Sequence, residues 1–328
     1  MKKILAILLA VMMIAGLCAC GSSDGAKAPD EPKSDKTYRV GICQLVQHVA
    51  LDAATKGFKD ALTEKLGENA VTFDYQDASG DSANCSVIVN GFVSDKVDLI
   101  MCNATAPLQA AAAATNTIPI LGTSVTDYAS ALDISDWSGT VGGNISGTSD
   151  LAPLDQQASM LKELFPDAKT VGLLYCSAEP NSVYQCTVIE GHLKDLGYDV
   201  QWFAFTDTND VASVTQDACD KADVLYIPTD NTAASNTEAI ANVVLPAKVP
   251  VIAGEEGICA GCGVATLSIN YYDLGHTTGE MAAEILANGA DISAMPVAYA
   301  PQVTKEYNAA NCEALGVTVP SDYVAIGG

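Results

Sequence analysis

The sequence is poor in positive charge. It contains 16 lysines and arginines against 40 aspartates and glutamates, a formal net charge of -24, and Arg39 is its single arginine. A body this acidic repels nucleic acid and anionic membrane surfaces, so neither is expected as a partner. Histidine is scarce as well, since the three histidines are widely separated along the chain. We therefore predict no metal site.

The chain has an apolar run at its N-terminus that is too short to span a membrane. Residues 4–17 are apolar and follow Lys2 and Lys3, whereas a spanning helix needs ~20 such residues. A short apolar run behind two positive charges is typical of a secretory signal peptide, which we predict over residues 1–19.

The end of this run carries a cysteine in a distinctive setting. Ala19, Cys20 and Gly21 resemble the lipobox of bacterial lipoproteins, which implies cleavage before Cys20 and lipidation of that residue. The alternative is an ordinary cleaved signal with a coincidental cysteine. Residues 20–36 are polar, contain Gly and Pro and show no periodicity, so we predict a flexible tether there.

Cysteine is abundant, but its distribution argues against a disulfide framework. Of eleven cysteines, Cys18 and Cys20 belong to the signal region, which leaves an odd number in the body. Several of these lie in apolar strand-like runs, among them Cys43, Cys102 and Cys176. We predict that they are buried free thiols that pack as small hydrophobic groups.

Residues 259–262 read Cys-Ala-Gly-Cys, which has the spacing of a redox motif or of half a zinc site. No second pair with matching spacing exists in the sequence, and no histidine is near. We favour a plain tight loop over either functional interpretation.

One long segment of the chain is echoed by a second. About 290 residues follow the tether, more than a single hydrophobic core usually holds, so two lobes are expected. The order of the matching motifs is the same in residues 39–122 and 170–254, where Val40-Gly41-Ile42 corresponds to Val171-Gly172-Leu173, Leu66-Gly67 to Leu196-Gly197, Asp98-Leu99-Ile100 to Asp223-Val224-Leu225, and Ile118-Pro119-Ile120 to Val249-Pro250-Val251.

Both copies alternate strand-like and helix-like patterns. Alternation of this kind is typical of a parallel sheet wound by right-handed crossovers. Strands are predicted at residues 39–45, 71–75, 97–102 and 118–122 in the first copy, and at residues 170–176, 199–205, 224–227 and 249–253 in the second.

Three segments are predicted to connect the lobes. The first is the Gly- and Ser-rich stretch 137–150, which ends shortly before a helix that starts near Pro153. Two more follow the second copy, after a strand near residues 264–269 and along the extended segment 296–303. Tyr271 and Tyr272 are expected to pack at the resulting hinge.

Polar side chains follow the predicted strands. In open α/β sheets a ligand binds beyond the carboxyl ends of the strands, so these side chains are the candidates for a site. The alternative for Asp230 and Asn181 is that they only cap the helices that follow, and His48 is expected to start a helix. The candidates are Gln44, His48, Thr105, Ser124 and Asp127 in the first lobe, and Glu179, Asn181, Ser182, Asp230 and Glu255 in the second.

The charges near these positions limit the ligand. Arg39 and several lysines precede strands, at the end away from the crevice. Phosphates and dicarboxylates usually need such cations, so both are disfavoured. Asp230 and Glu255 favour an ammonium group, while hydroxyls and helix N-termini near Thr105, Ser124 and Ser182 could hold one carboxylate. A zwitterionic amino acid satisfies both conditions.

Several short motifs in the chain are distinctive. They lie at residues 41–48 (Gly-Ile-Cys-Gln-Leu-Val-Gln-His), 103–107 (Asn-Ala-Thr-Ala-Pro), 179–182 (Glu-Pro-Asn-Ser), 228–232 (Pro-Thr-Asp-Asn-Thr) and 270–275 (Asn-Tyr-Tyr-Asp-Leu-Gly). The Glu-x-Asn-Ser and Pro-Thr-Asp-Asn motifs are the more specific ones. Through these motifs, the sequence from about residue 38 to 300 resembles a known family, the ABC-transporter substrate-binding lipoproteins of the tryptophan/tyrosine type found in Gram-positive bacteria.

The resemblance implies a type I periplasmic-binding fold of the α/β class, with two Rossmann-like lobes joined by three crossovers. Lobe I would comprise residues 37–146 and 272–299, and lobe II residues 147–271 and 300–328. The ligand would be an aromatic amino acid held between the lobes. The partners would be ABC permease and ATPase subunits, and a lipid anchor at Cys20 would hold the protein on the extracellular face of the cytoplasmic membrane.

Two positions depart from the family pattern. Tyr128 stands where the family usually has proline after Asp127, and His276 where arginine is common. Tyr128 is expected beside the cleft, which puts the specificity for the ligand side chain in doubt. His276 is expected on a helix away from it.

Other functions are weighed against transport. The sequence has no Ser-His-Asp ordering, no nucleophile elbow and no phosphate-binding Gly-x-x-x-x-Gly-Lys loop. We therefore predict a binding protein that is not an enzyme and has no cofactor. Within the same fold, a nucleoside or another neutral polar ligand, or a role as a ligand sensor, remains the alternative.

Overall fold

The structure is a computed structural model that describes residues 36–300 and 302–327. The predicted signal peptide, the tether up to residue 35 and Cys20 lie outside the described residues. These described residues form one compact unit. None of the helices in the described part of the chain is both long enough and apolar enough to cross a membrane.

The first of two sheets contains six strands, all of them parallel. Their spatial order is β11-β5-β4-β3-β1-β2. The strands are β1 (Tyr38–Gln44), β2 (Val71–Asp77), β3 (Leu99–Asn103), β4 (Ile120–Val125), β5 (Ile145–Ser149) and β11 (Ala298–Tyr299).

The second sheet contains seven strands in the order β13-β12-β10-β9-β8-β6-β7, and β12 runs antiparallel to β10. The run β2-β1-β3-β4-β5 of the first sheet therefore has the same winding as β7-β6-β8-β9-β10, which agrees with the sequence repeat. The strands are β6 (Thr170–Cys176), β7 (Asp199–Phe205), β8 (Val224–Ile227), β9 (Val251–Ala253), β10 (Ala265–Ser268), β12 (Thr304–Tyr307) and β13 (Val324–Ala325).

Helices cover both faces of each sheet, which is why the central strands are buried along almost their whole length and do not alternate between buried and exposed residues. β3 and β8, for example, are buried at every position. The helices are α1 (Val49–Leu66), α2 (Ser82–Asp95), α3 (Thr105–Ala114), α4 (Tyr128–Ala131), α5 (Leu154–Leu164), α6 (Pro180–Asp195), α7 (Val211–Cys219), α8 (Asn231–Ser235), α9 (Thr237–Ala247), α10 (Glu256–Cys262), α11 (Tyr271–Asn288) and α12 (Ala309–Leu315), with a 3-10 turn at Ile292–Ala294.

The predicted strands are largely confirmed, with shifted ends in the first lobe and a later start of β9, which was predicted at residue 249 and begins at Val251. β6, β7 and β8 have the predicted bounds. β3 begins at Leu99 and not at Val97 because the Val97 amide donates to the carbonyl of Phe92 and closes the preceding helix (3.2 Å).

The chain passes between the sheets three times, after β5, after β10 and after β11. The first passage lies later than the predicted boundary at residues 146/147. Ser146 and Gly147 still pair with β4, and the register continues to Ser149. The chain therefore leaves the first lobe at Asp150, and α5 then packs in the core of the second lobe through Leu154 and Ala158.

All nine cysteines in the described residues are unpaired, and only Cys219 is not fully buried. The prediction of buried free thiols is confirmed. The expectation of a tight loop at residues 259–262 is wrong, because these residues form the end of α10. Cys262 there donates its thiol hydrogen to the carbonyl of Ile258 (3.3 Å), a contact within the helix.

Candidate functional site

A cleft with a volume of about 360 Å³ lies between the carboxyl ends of the two sheets. Small-molecule sites usually measure about 300–1,000 Å³. Both lobes line it, and the lining contains acids but no lysine or arginine. The lining residues are Leu45, Val46, Ser79, Gly80, Asp81, Ser82 and Ala106 from the first lobe, and Cys176, Ala178, Glu179, Thr206, Asp207, Thr208, Asn231, Thr232 and Ser235 from the second.

One direct hydrogen bond joins the lobes across the cleft. His48, which precedes α1, places Nε2 at 3.2 Å from Oδ1 of Asn231 at the start of α8. An amide oxygen only accepts, so the imidazole must carry a proton on Nε2. Burial lowers the pKa of His48, which favours the neutral ring. This contact links the first lobe to the second.

Glu179 fixes the partner in that contact. Its Oε2 accepts from the backbone N–H of Asn231 (3.0 Å) and from Nδ2 of the same residue (2.7 Å). Its Oε1 accepts from the backbone N–H and the hydroxyl of Thr232, each at 2.8 Å. Because Nδ2 of Asn231 donates to Glu179, the side-chain oxygen of Asn231 points the other way and faces His48.

Asn181 and Ser182 support this arrangement from the first turn of α6. Nδ2 of Asn181 lies within hydrogen-bonding distance of Glu179 Oε2 (3.2 Å), of the Thr229 carbonyl (3.1 Å) and of Ser182 Oγ (3.3 Å). Both side chains are buried. Their contacts lie within the second lobe and connect α6 to the end of β8.

Asp230 is a helix cap. One carboxylate oxygen accepts from the backbone N–H of Ala233 (2.8 Å) and the other from that of Cys176 (2.7 Å). The residue is 1% exposed. Burial, together with the nearby charge of Glu179, raises the pKa of Asp230 to about 8. Both oxygens are already used by the protein, as in the capping alternative considered for this residue.

Glu255 has the same role at α10. Its carboxylate accepts from the backbone N–H groups of Gly257 (2.7 Å) and Ile258 (2.5 Å). The residue is 1% exposed, and burial raises the pKa of Glu255 to about 7. The two acids that the sequence suggested as ammonium partners thus each satisfy a helix N-terminus.

Gln44, at the end of β1, organises a polar network in the first lobe. It donates to Asp52 (2.7 Å) and to the Val46 carbonyl (2.9 Å), and it accepts from the Thr55 hydroxyl (2.6 Å). Asn103, at the end of β3, joins the network by donating to Thr55 (2.9 Å). Gln44 is fully buried. Because Asp52 and Thr55 belong to α1, these hydrogen bonds orient α1 on the sheet.

The N-terminus of α3 differs from the capped helices. Its N-cap is Ala104, which has no side-chain cap, and Thr105 and Ala106 form its first turn. Ala106 lines the cleft. Ser124 lies next to it on β4, since the Ala104 amide donates to the Thr123 carbonyl (3.0 Å). Free N–H groups at a helix start are suited to a carboxylate.

Ser124 is 5% exposed, and its hydroxyl has no hydrogen-bond partner among the described residues. Asp127, by contrast, caps α4 by accepting from the Ser130 amide (2.7 Å).

Tyr128 lies in the core and not beside the cleft as expected. It is 1% exposed, and its hydroxyl donates to the Thr148 carbonyl (3.1 Å). The hydroxyl lies against the backbone of Gly122 in β4 and of Gly147 in β5.

Asp150 was not among the predicted site residues. This residue directly follows β5, is 3% exposed and accepts from the hydroxyl of Tyr271 (3.0 Å). Burial raises the pKa of Asp150 to about 6. Its position after a strand, at a crossover between the lobes, is one where site residues are expected. It was not predicted because it lies in a Gly- and Ser-rich segment that was interpreted only as a connection.

Three buried acids give the fold a defined pH dependence. The pKa values of about 6, 7 and 8 for Asp150, Glu255 and Asp230 all exceed the ordinary value near 4. The native state therefore retains protons that the unfolded chain has released. We expect the free energy of unfolding to fall by a few kcal/mol between about pH 5 and 8, as measured by urea denaturation.

High salt provides the control for this pH experiment. Repulsion among exposed acids also weakens the fold as pH rises, but in 1 M NaCl the screening length is only about 3 Å, so this repulsion is largely removed. The contribution of the buried acids should persist in salt. Stability that is independent of pH once salt is present would contradict the raised pKa values.

Among the described residues, no group of three or more His, Cys, Asp or Glu side chains is arranged to hold a metal ion.

Comparison with known proteins adds to this geometry. A family model described as ABC transporter substrate binding protein matches residues 39–326. A tyrosine-binding protein of Clostridioides difficile strain R20291 is 38% identical over 303 residues, which cover 90% of this chain and 87% of that protein.

Two solved structures are informative about shape. An ABC domain from Streptococcus pneumonia in complex with L-Trp is 30% identical, with a TM-score of 0.83 and coverage of 87% of this chain and 97% of that one. A ligand-free, open structure of a substrate-binding protein with adhesive properties from Clostridium difficile is 37% identical, with a TM-score of 0.68 and coverage of 88% and 99%.

The chain is thus closer in shape to the L-Trp complex than to the open structure, although its sequence is closer to the latter. This agrees with the contact between His48 and Asn231 across the cleft. With a family model that covers most of the sequence, two lobes around a cleft and this similarity to solved structures, the chain belongs to the substrate-binding proteins of ABC transporters.

Proposed function

We propose that this substrate-binding protein captures an aromatic amino acid in the cleft between its lobes and delivers it to an ABC importer. Proteins of this family bind a small ligand and face the outside of the membrane. Two relatives support the choice of ligand class, one named a tyrosine-binding protein and the other solved with L-Trp.

The observation that carries the proposal is the charge of the cleft. Its lining includes Asp81, Glu179 and Asp207 but no lysine or arginine. A ligand with a net negative charge would meet no cation there, whereas a zwitterion brings its own positive group. The free N-terminus of α3, beside the unpartnered hydroxyl of Ser124, is suited to the carboxylate.

Closure would couple binding to transport. His48 belongs to the first lobe and Asn231 to the second, so their hydrogen bond exists only when the cleft is closed. A ligand that contacts both lobes shifts the population toward this state. The function requires no chemical step, and we propose that the protein does not turn over its ligand.

The proposed anchor completes this function. Lipidation of Cys20 after cleavage of residues 1–19 would hold the protein at the outer face of the cytoplasmic membrane, next to the permease and ATPase subunits. The tether of residues 20–36 would allow it to reach the permease. Mass spectrometry of the mature protein, with Cys20→Ala as the control, tests this part.

Calorimetry and thermal unfolding with the purified protein test the ligand class. We expect L-tyrosine or L-tryptophan to stabilise the fold, by about 2.7 kcal/mol at a hundredfold excess over Kd. Nucleosides and glucose should have no effect. Binding of a nucleoside with no response to any amino acid would overturn the proposal in favour of a neutral polar ligand.

A further inference from the structure

Three neighbouring strands of the first sheet end in buried polar side chains that are not fully hydrogen-bonded. Oδ1 of Asn103 at the end of β3, Oγ of Ser124 on β4 and Oδ1 of Asp150 after β5 have no partner among the described residues. The three residues are 0%, 5% and 3% exposed. They lie at the carboxyl edge of the sheet, where α/β proteins bind ligands.

The backbone segments that carry these side chains are adjacent. The Asp150 amide donates to the carbonyl of Val125, the residue after Ser124 (3.3 Å), and the Ala104 amide donates to Thr123 (3.0 Å). A buried polar atom without a partner costs about 1–3 kcal/mol, so such atoms are rare in folded proteins. Their concentration at one sheet edge indicates a surface built to contact another molecule.

The buried carboxylates differ in how much acceptor capacity remains. Glu179, Asp230 and Glu255 each accept from backbone N–H groups with both oxygens. Asp150 accepts from Tyr271 through Oδ2, and its Oδ1 has no partner among the described residues. None of the four is paired with a lysine or arginine in the part of the chain that the structure describes.

We propose that Asp150 is the residue that binds the ammonium group of the ligand, with Tyr271 as the positioning residue that orients its carboxylate. This rests on the proposed amino-acid function and assigns the group that reads the positive charge. The ammonium and carboxylate of an α-amino acid are attached to one carbon, so their partners must be adjacent. Asp150 and Ser124 meet this condition, since they lie at the ends of paired strands.

The position of the pair also involves the hinge. Asp150 begins the first crossover between the lobes, and Tyr271 begins α11 directly after the second. A ligand held by Asp150 therefore contacts a carboxylate whose orientation depends on a hydrogen bond between two hinge segments.

The test compares L-tyrosine and L-tryptophan with their deaminated analogues, the corresponding arylpropionates, by calorimetry on the wild type, Asp150→Asn and Asp155→Asn. Loss of one partner of a buried charge pair costs about 2–5 kcal/mol, so Asp150→Asn should weaken amino-acid binding by about 30-fold or more. Binding of the arylpropionates should change little. Asp155, an exposed acid in the first turn of α5, is the matched control and should have no effect.

The outcomes are distinguishable. If the wild type binds none of the amino acids, the proposed function itself fails. If it binds them and Asp150→Asn retains the full preference over the arylpropionates, or loses both ligand types equally, only the role of Asp150 is overturned. Should Asp150→Asn not fold, Tyr271→Phe keeps the carboxylate and must still reduce the preference for the amino acid; an unchanged preference would refute the proposal.

Discussion

Replacing Gly275 by alanine is expected to destabilise the protein by about 3 kcal/mol or more. A Cβ atom at this position would lie 1.9 Å from the carbonyl oxygen of Ala54 and 2.6 Å from its carbonyl carbon. The neighbouring atoms belong to the backbone of α1, so no side chain can rotate away. The two helices would have to separate.

The contact between α1 and α11 is equally close at other points along the two helices. A Cβ on Gly57 would lie 2.1 Å from the Tyr272 carbonyl oxygen, and one on Gly279 would lie 2.5 Å from that of Phe58. α11 and α1 therefore touch through backbone atoms, which requires glycine on both helices. The measurement is the free energy of unfolding from urea denaturation.

Gly91 in α2 provides the matched control. Nothing lies within 4 Å of a Cβ built there, and alanine is favoured over glycine in helices by about 0.5–1 kcal/mol. Gly91→Ala should therefore leave the protein as stable as the wild type or slightly more so. Equal unfolding free energies for Gly275→Ala and Gly91→Ala would rule out the close helix contact.

Glu179→Gln is expected to reduce both stability and ligand affinity. The wild-type carboxylate accepts hydrogen bonds from Asn231 at one oxygen and from Thr232 at the other. In glutamine, the amide NH₂ must replace one oxygen and face donors. Hydrogen bonds to charged groups contribute about 1.5–3 kcal/mol each, so a loss of about 3 kcal/mol is expected.

The effect on affinity follows from Asn231. Without the carboxylate, the Asn231 side chain is free to rotate, and His48 loses its partner across the cleft. The closed state becomes less populated, and the apparent affinity falls by the same factor, which we expect to be roughly tenfold. Calorimetry with L-tyrosine or L-tryptophan measures it alongside urea denaturation.

Glu238→Gln is the control for this substitution. Glu238 lies in the first turn of α9 and is exposed, so its change should stay within about 0.5 kcal/mol. If Glu179→Gln behaved like Glu238→Gln in both measurements, Glu179 would not organise the closed cleft.

The repeat in the sequence predicted the architecture well because it reflects the strand order. Apolar runs such as residues 170–176 can only be central strands in a sheet covered on both faces, and β6 has these bounds. Two such units in one chain predict two sheets with the same winding, as observed. The edge that carries the site follows from the same rule.

The partners of individual atoms could not be predicted in this way. Asp230 and Asp150 both follow strands, but only the structure shows that backbone N–H groups use both oxygens of Asp230. Asp150 is buried through contact with Tyr271, which is 121 positions away in sequence. Tyr128 was misplaced for a similar reason, since its pocket exists only where β4 and β5 pair at Gly122 and Gly147.

The unpaired thiols affect how long a molecule of this protein remains functional. In the folded chain, burial raises the pKa of thiols such as Cys102 and Cys186. They therefore stay protonated, and a protonated thiol oxidises more slowly than a thiolate. Unfolding would expose all of them to oxidants at once, and random pairing would trap the chain. The rate of unfolding, more than the equilibrium stability, would then determine how long each molecule remains functional.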